Sequence, residues 1–545
     1  MTDCLSCDIL ITYTIREVIM SNSKTTKFIQ YSIVFAYLLL YGILSSRFLG
    51  LFPFVHSDES WLSGLSLNIA EQMDFSVTET FFDARPRYPH AIKIIFHALQ
   101  VLFLRLFGYS PESVRLLSLL AGLLVLFFFY KAATGLFRNF FLAFGLMVLF
   151  SFDIQFIYAS HFARQEILLL LALVICLALL FCADTPYTVK NALITGCITG
   201  FSVGLHPNSF ILACILAFYY LAILIQNRQK ELKPFLTYVG ITGGIASLFV
   251  ALSYSFDSQF LTHYFANGAL EFDIAAPPAT RLSDLFSFFH RLFTRTGGTY
   301  YVADIRTQFL LFFAAFIFLF LFYISMKKEE TGLCQNILCL QFSLMGAVAG
   351  IYIIGRFSQL SILFLFPVGW LLVAYLLKLF EPVLQKVFLL FLTALLLFIS
   401  IKEIRPYLSG ISYDDYLSQI ASCTEPDSRV LGNLNMNFYF ENGALSDYRN
   451  LPYVMERDGT LDKYIEENKI EYIFYTDELT YYYEHRPYYN ALYGNIMFAD
   501  ALKTYCETNC TLVASFENSG YAPRILELIG DEDYSTVYVY RVNSR

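Results

Sequence analysis

The sequence predicts a polytopic α-helical membrane protein of about eleven transmembrane helices, followed by an extracytoplasmic, soluble α/β domain. Three observations carry that fold class. Of 545 residues, 57% are hydrophobic and 15% charged, and the mean hydropathy is +0.54; such values exclude a soluble globular chain. Charge-poor windows long enough to cross a bilayer recur as far as residue 402 and then stop. Residues 403–545 are polar, acidic and rich in tyrosine, hold no spanning stretch, and make up a domain of ordinary size.

The windows fall at 28–46, 114–134, 139–158, 166–183, 189–205, 208–226, 235–255, 307–326, 333–354, 358–377 and 384–401, each near the ~20 residues a hydrocarbon core requires. Residues 1–27 read as a cytoplasmic lead-in. No basic segment precedes the apolar part of Met1–Met20, so a secretory signal is not predicted, and Met20 is an alternative start. Basic residues fall on every second connection: Lys24 and Lys27, Lys131 and Arg138, Lys190, Arg228, Lys230 and Lys233, Lys327 and Lys328, Lys378 and Lys386. The positive-inside rule then places the N-terminus in the cytoplasm and, after an odd number of spans, the tail outside.

Loop 47–113 breaks that alternation, because it carries Arg85, Arg87, Lys93 and Arg105 on the outer side. Long loops follow the charge rule poorly. Within it, Pro89–Phe107 sets Lys93, His97 and Gln100 on one helical face opposite Leu and Phe, which predicts an amphipathic helix on the outer surface. A twelfth span there would invert every later loop. A second large outer loop occupies 256–306.

In residues 403–545, strands are predicted at Arg429–Gly432, Glu471–Thr476, Thr511–Phe516 and Thr536–Val542, with a helix over Gly459–Lys469. Tyr481, Tyr482, Tyr483, Tyr488 and Tyr489 either stack on sugar rings of an acceptor or pack the domain against the membrane part. The eleven cysteines show no metal-binding spacing, and Cys176, Cys182, Cys197 and Cys214 lie inside spans as small hydrophobes. Cys506 and Cys510 are disulfide candidates in an oxidising compartment, with Cys423 as a third partner.

Ionisable groups gather at one predicted membrane face: Asp58, Glu59, Arg87, His90, Arg164, Glu166, His206 and Arg356. Asp58-Glu59 follows the first span almost at once, where carboxylates are costly to hold near lipid. The pair admits two readings. One is a helix cap, with Ser57 or Asp58 as N-cap and Glu59 in the first turn; the other is chemistry. Arg164 and Glu166 also read as a pair at a helix start, His206-Pro207-Asn208 as a break between spans, and Arg85, Arg87 and Arg356 as snorkelling anchors. Taken together, two acidic positions and several cations on one face suggest a base and a phosphate-binding counterpart.

The run His56-Ser57-Asp58-Glu59-Ser60-Trp61, then Arg87-Tyr88-Pro89-His90, Leu104-Arg105-Leu106-Phe107-Gly108, Arg115-Leu116-Leu117-Ser118 and Gly122, resembles the membrane glycosyltransferases of the GT-C superfamily. The likeness is to the branch of protein O-mannosyltransferases and lipid A aminoarabinose transferases. Tyr158–Glu166 continues it, and the likeness covers residues 28 to about 230. Beyond that it rests on span count and the Arg356–Pro367 run. Two positions depart: Tyr88-Pro89-His90 stands where His-Pro-Pro is common, and Glu166 where Asp is usual.

The resemblance implies transfer of a hexose or pentose from a polyprenyl-phosphate donor to an acceptor hydroxyl on the extracytoplasmic face, with inversion. The acceptor is a lipid, a glycan or a protein. Asp58 is expected to act as general base, with Glu59 or Glu166 orienting the acceptor. Arg356 with Arg164 or His206, and Arg87 and His90 beside them, are expected to bind the donor phosphate. No cofactor is expected to be required, although Asp58-Glu59 has the chemistry to ligate Mg²⁺. No nucleic-acid partner is expected. A compact tail and the lack of an endoplasmic-reticulum retention signal favour a bacterial inner membrane. A lipid-linked glycan ligase or polymerase is the nearer alternative. A transporter or flippase is the more distant one, since no internal repeat is visible.

Overall fold

The computed structural model describes residues 24–226, 231–265, 277–295, 301–325, 331–456, 460–479, 481, 496–518, 520–521 and 536–543. Met20, Arg228, Lys230, Lys327, Lys328, Gly459, Tyr482, Tyr483, Tyr488 and Tyr489 lie outside the described residues.

Each of the eleven predicted windows coincides with helix. Eight helices are long and apolar enough to cross a membrane, and nine if a bent pair counts as one span. The chain is a polytopic membrane protein. The windows that fall short are 166–183, which forms the 17-residue helix Glu166–Cys182, and 189–205, which forms Val189–Phe201 plus a 3-10 turn. The first of these is still about 25 Å long, close to a hydrocarbon core.

The bent pair positions the candidate site. Phe140–Ser151 and Ile154–Ser160 meet at 68°. A break of this kind frees backbone groups inside an apolar bundle, and these must find partners. Ser400 Oγ donates to the Phe152 carbonyl at 2.7 Å, and Asp153 caps the second helix by accepting from Gln155 N at 3.0 Å. Trp370 Nε1 and Gln308 Nε2 donate to the other Asp153 oxygen at 3.1 and 3.4 Å. Elsewhere the bundle closes by backbone approach: a Cβ on Gly346 or Gly350 would lie 2.6 and 2.8 Å from backbone atoms of Ser209–Gln226.

The connections segregate to two ends. At one, Lys131 Nζ donates to Tyr31 Oη at 2.8 Å, Lys378 sits 5.6 Å from the Phe137 ring, and Tyr187 Oη donates to the Glu231 carbonyl at 3.0 Å. The other end holds the helices Ser57–Gln72 and Ile94–Phe107. Residues 89–93 of the predicted amphipathic helix are not helical, and its polar face is not turned to water. His97 and Gln100 are buried against Ser66, at 2.8 and 2.7 Å, while Leu102, Leu106 and Phe107 are exposed. Ser66 on Ser57–Gln72 supplies hydrogen bonds that water was expected to supply.

The C-terminal part is an α/β unit with a five-stranded sheet in the order β2-β1-β3-β5-β4. The strands are β1 Val430–Gly432, β2 Leu445–Asp447, β3 Tyr472–Thr476, β4 Cys510–Glu517 and β5 Thr536–Val542. β2, β1 and β3 are parallel, and β5 pairs antiparallel with both β3 and β4. All four predicted strands are present, and the predicted helix forms at Leu461–Glu467. Three-residue β2 has no period long enough to read from sequence. The unit grips the first large loop: Asp447 N donates to the Phe81 carbonyl at 3.1 Å, and Asn450 bonds both that carbonyl and Arg85 N.

Candidate active site

The helix Ser57–Gln72 starts on His56, not on Ser57 or Asp58. His56 has extended backbone, its Nδ1 accepts from Asp58 N at 3.1 Å, and its own N–H donates to Glu59 Oε2 at 3.1 Å. An imidazole here does what a Ser or Asp cap usually does. Successive helical residues point about 100° apart, so the two carboxylates part company.

Glu59 turns inward and is 1% exposed. Arg115, buried inside the Pro111–Phe137 helix, donates to it from Nε at 2.8 Å and Nη2 at 2.6 Å. Ala163 N adds a third bond to Oε1 at 2.8 Å. With His56 N, both oxygens are saturated. Glu59 therefore pins the helix start to a span and to the residue before Arg164, which leaves it no lone pair well placed for a substrate. Arg115 has no role in the sequence reading, although a charge inside an apolar span demands a partner.

Asp58 turns outward, with its side chain 24% exposed. Arg164 Nη1 donates to Asp58 Oδ2 at 2.5 Å, and its Nη2 to Glu166 Oε1 at 3.2 Å. One guanidinium thus ties the two acidic positions, 106 residues apart along the chain. Glu166 is buried, and its Oε2 has no hydrogen-bond partner among the described residues.

Three cations stand around this pair. Lys93, with left-handed backbone at φ 83°, has its ammonium held down to about 8, first by burial and then by the charges of Arg164, Arg87 and Arg356. His206 lies in the same field. Burial, then Lys93, Arg164 and Arg356, hold its imidazole well below the usual histidine range, against the pull of Asp58. His90 is likewise held down, to about 4, by burial and then Lys93 and Arg87. Both histidines are neutral at pH 7, so the positive charge of the centre is that of Lys93, Arg164 and Arg356. Sequence reading placed Lys93 on a helix face. The available signal was its place in an outer loop that breaks the charge rule.

Arg87 is committed elsewhere. Its Nε and Nη2 donate to Glu79 at 2.8 and 2.7 Å, and Trp61 Nε1 donates to Glu79 Oε1 at 2.5 Å. Burial opposes the charged form of Glu79, but Arg87 and Trp61 outweigh it and hold the carboxyl at about 2. His90 Nδ1 is buried with no hydrogen-bond partner among the described residues, and His90 lines a pocket with Leu65, Glu79, Arg87 and His97. Among the described residues no three His, Cys, Asp or Glu side chains converge as a metal-binding group. Arg164 already stands between Asp58 and Glu166, the two acids a divalent cation would bridge.

A polytopic helical bundle followed by a C-terminal α/β unit is a fold also seen among solved structures. The chain shares it with ArnT from Cupriavidus metallidurans, in a crystal structure bound to undecaprenyl phosphate: TM-score 0.58, 12% identity, covering 95% of this chain and 98% of that one. It is similar also to the oligosaccharyltransferase AglB from Archaeoglobus fulgidus, in complex with an inhibitory peptide and a dolichol-phosphate: TM-score 0.52, 13% identity, covering 91% and 74%. No sequence-family model and no curated protein sequence matches the chain.

Proposed function

We propose that the protein is an integral-membrane glycosyltransferase that moves one sugar from a polyprenyl-phosphate donor to an acceptor hydroxyl on the extracytoplasmic face, with inversion. The observation that carries this reading is the split of Asp58 from Glu59. One carboxylate is saturated as an anchor, and its neighbour is presented beside Lys93, Arg164 and Arg356.

The chemistry follows from those groups. Asp58 takes the acceptor proton as the acceptor oxygen attacks the anomeric carbon. The bond from that carbon to the phosphate oxygen breaks, and its electron pair leaves with the polyprenyl phosphate. Lys93, Arg164 and Arg356 receive the developing charge, the cations a leaving phosphate needs. Glu166 Oε2 offers an acceptor hydroxyl a second hydrogen bond. Arg164 bridges the two carboxylates and spaces them. The reading calls for no metal.

Eleven spans, a cytoplasmic N-terminus and an extracytoplasmic tail in a bacterial inner membrane complete the proposal. Its support is that the described basic residues Lys131 and Lys378 lie at the end of the bundle opposite Asp58. Mass spectrometry of envelope glycans and lipids tests this. A deletion strain is expected to lose one defined sugar, which wild-type protein restores and Asp58→Asn does not; an unchanged envelope would refute the reading.

A further inference from the structure

We propose that Arg449, in the C-terminal α/β unit, is a positioning residue for Asp58 and acts through Trp61. The inference rests on the assignment of Asp58 as base. Trp61 follows Asp58 by one helical turn, so the two share a face of Ser57–Gln72. Its indole packs edge to face on Phe82, with centroids 5.0 Å apart at 80°. Three guanidiniums stand on these two rings. Arg449 is 5.0 Å from the Trp61 centroid and 5.1 Å from that of Phe82. Arg87 is at 5.0 and 5.7 Å, and Arg85 at 5.6 and 5.1 Å.

Packing alone does not call for this arrangement. A buried cation carries a desolvation cost, and an apolar seam would join two units more cheaply. What the stack adds is registration. Arg449 is itself fixed, its Nε donating to Asp447 Oδ1 at 2.6 Å and its Nη2 to Oδ2 at 3.3 Å. Asp447 N in turn donates to the Phe81 carbonyl, beside Phe82. At the far edge of the indole, Glu79 accepts from Trp61 Nε1 and from Arg87. The ring is therefore held from the C-terminal unit by Arg449 and from the first loop by Glu79, Arg85 and Arg87. A rotation of the Trp61 turn would carry Asp58 away from Arg164. The C-terminal unit thereby sets the orientation of the base from a distance, while the phosphate cations sit on other elements.

That division predicts an effect on turnover and not on donor binding. The full-length protein is assayed with polyprenyl phosphates carrying radiolabelled glucose, mannose, N-acetylglucosamine or aminoarabinose, and with deletion-strain membranes as acceptor. Bound undecaprenyl phosphate counts the folded sites. Arg449→Ala is expected to lower kcat about tenfold per folded site, the factor that losing one desolvated cation–π contact supplies, with the donor KM held within about twofold. Arg449→Lys, which keeps a cation on the rings, is expected to recover most of it. Trp61→Phe, which keeps a ring but loses the bond to Glu79, is expected to fall between. If Arg449→Ala fails to bind lipid, Trp61→Phe carries the test. Wild-type kcat per site in either variant, or a kcat loss that Arg449→Lys does not recover, overturns the proposal. No transfer from any donor by wild-type protein refutes the assigned function itself, and the positioning role with it.

Discussion

Adjacent carboxylates with opposite duties are the central feature at the scale of single residues. Glu59 accepts four hydrogen bonds and makes a buried pair with Arg115, so its loss would strand a buried guanidinium, a change that costs about 3–5 kcal/mol in comparable sites. Asp58, one residue earlier, keeps partial exposure and pairs with Arg164. Lys93 makes a prediction of its own. In the free protein burial, and then the charges of Arg164, Arg87 and Arg356, hold its ammonium down to about 8, with Glu79 opposing them. A phosphate ligand favours the charged form, so affinity for undecaprenyl phosphate is expected to fall as pH rises through about 8. In Lys93→Met, affinity is expected to be weak throughout, without that inflection. Binding isotherms from pH 7 to 9.5 check this, and a flat wild-type profile would remove Lys93 from the site. Arg115 and Arg449 escaped assignment by sequence, because each acts through a partner on a distant segment.

Individual elements were more legible than their faces. Apolar windows and strand alternation located every predicted helix and strand, since burial in lipid or in a sheet core imposes those periods. Which way a face points depends on neighbours. The polar side of Ile94–Phe107 meets Ser66 of Ser57–Gln72, and no local pattern records that meeting. The loop joining these helices is held by the Glu79–Arg87–Trp61 knot. The folded-state carboxyl of Glu79, at about 2, lies below its ordinary value, about 4.5. Its stabilisation is therefore complete above that ordinary value and is lost as pH falls toward about 2. Melting temperature in detergent is expected to drop more steeply between pH 5 and 3 for wild type than for Glu79→Gln. Parallel curves would show that the knot contributes nothing to acid stability.

At the scale of the whole molecule, the described basic residues Lys131 and Lys378 lie at the end of the bundle opposite the carboxylate–cation centre. That organisation was visible in the sequence, because the charge rule acts on loops and needs no knowledge of packing. The grip of the C-terminal unit on Phe81, Phe82 and Trp61 was not, as it joins segments hundreds of residues apart. Topology makes a direct prediction in the same unit. The Cys506 thiol is raised by its hydrogen bond to Cys510 and by burial, while the same bond lowers Cys510. Thiols in such contact are expected to be oxidised to a disulfide in an extracytoplasmic compartment. Alkylation followed by intact-mass analysis should add two labels at these positions only after reduction, and labelling without reduction would set the tail on the reducing side. The central claim, that Asp58 is the base, meets its most direct test in purified protein carrying Asp58→Asn. The expected result is transfer reduced about 10²-fold or more with undecaprenyl phosphate still bound at wild-type stoichiometry, and wild-type transfer by that variant would contradict it.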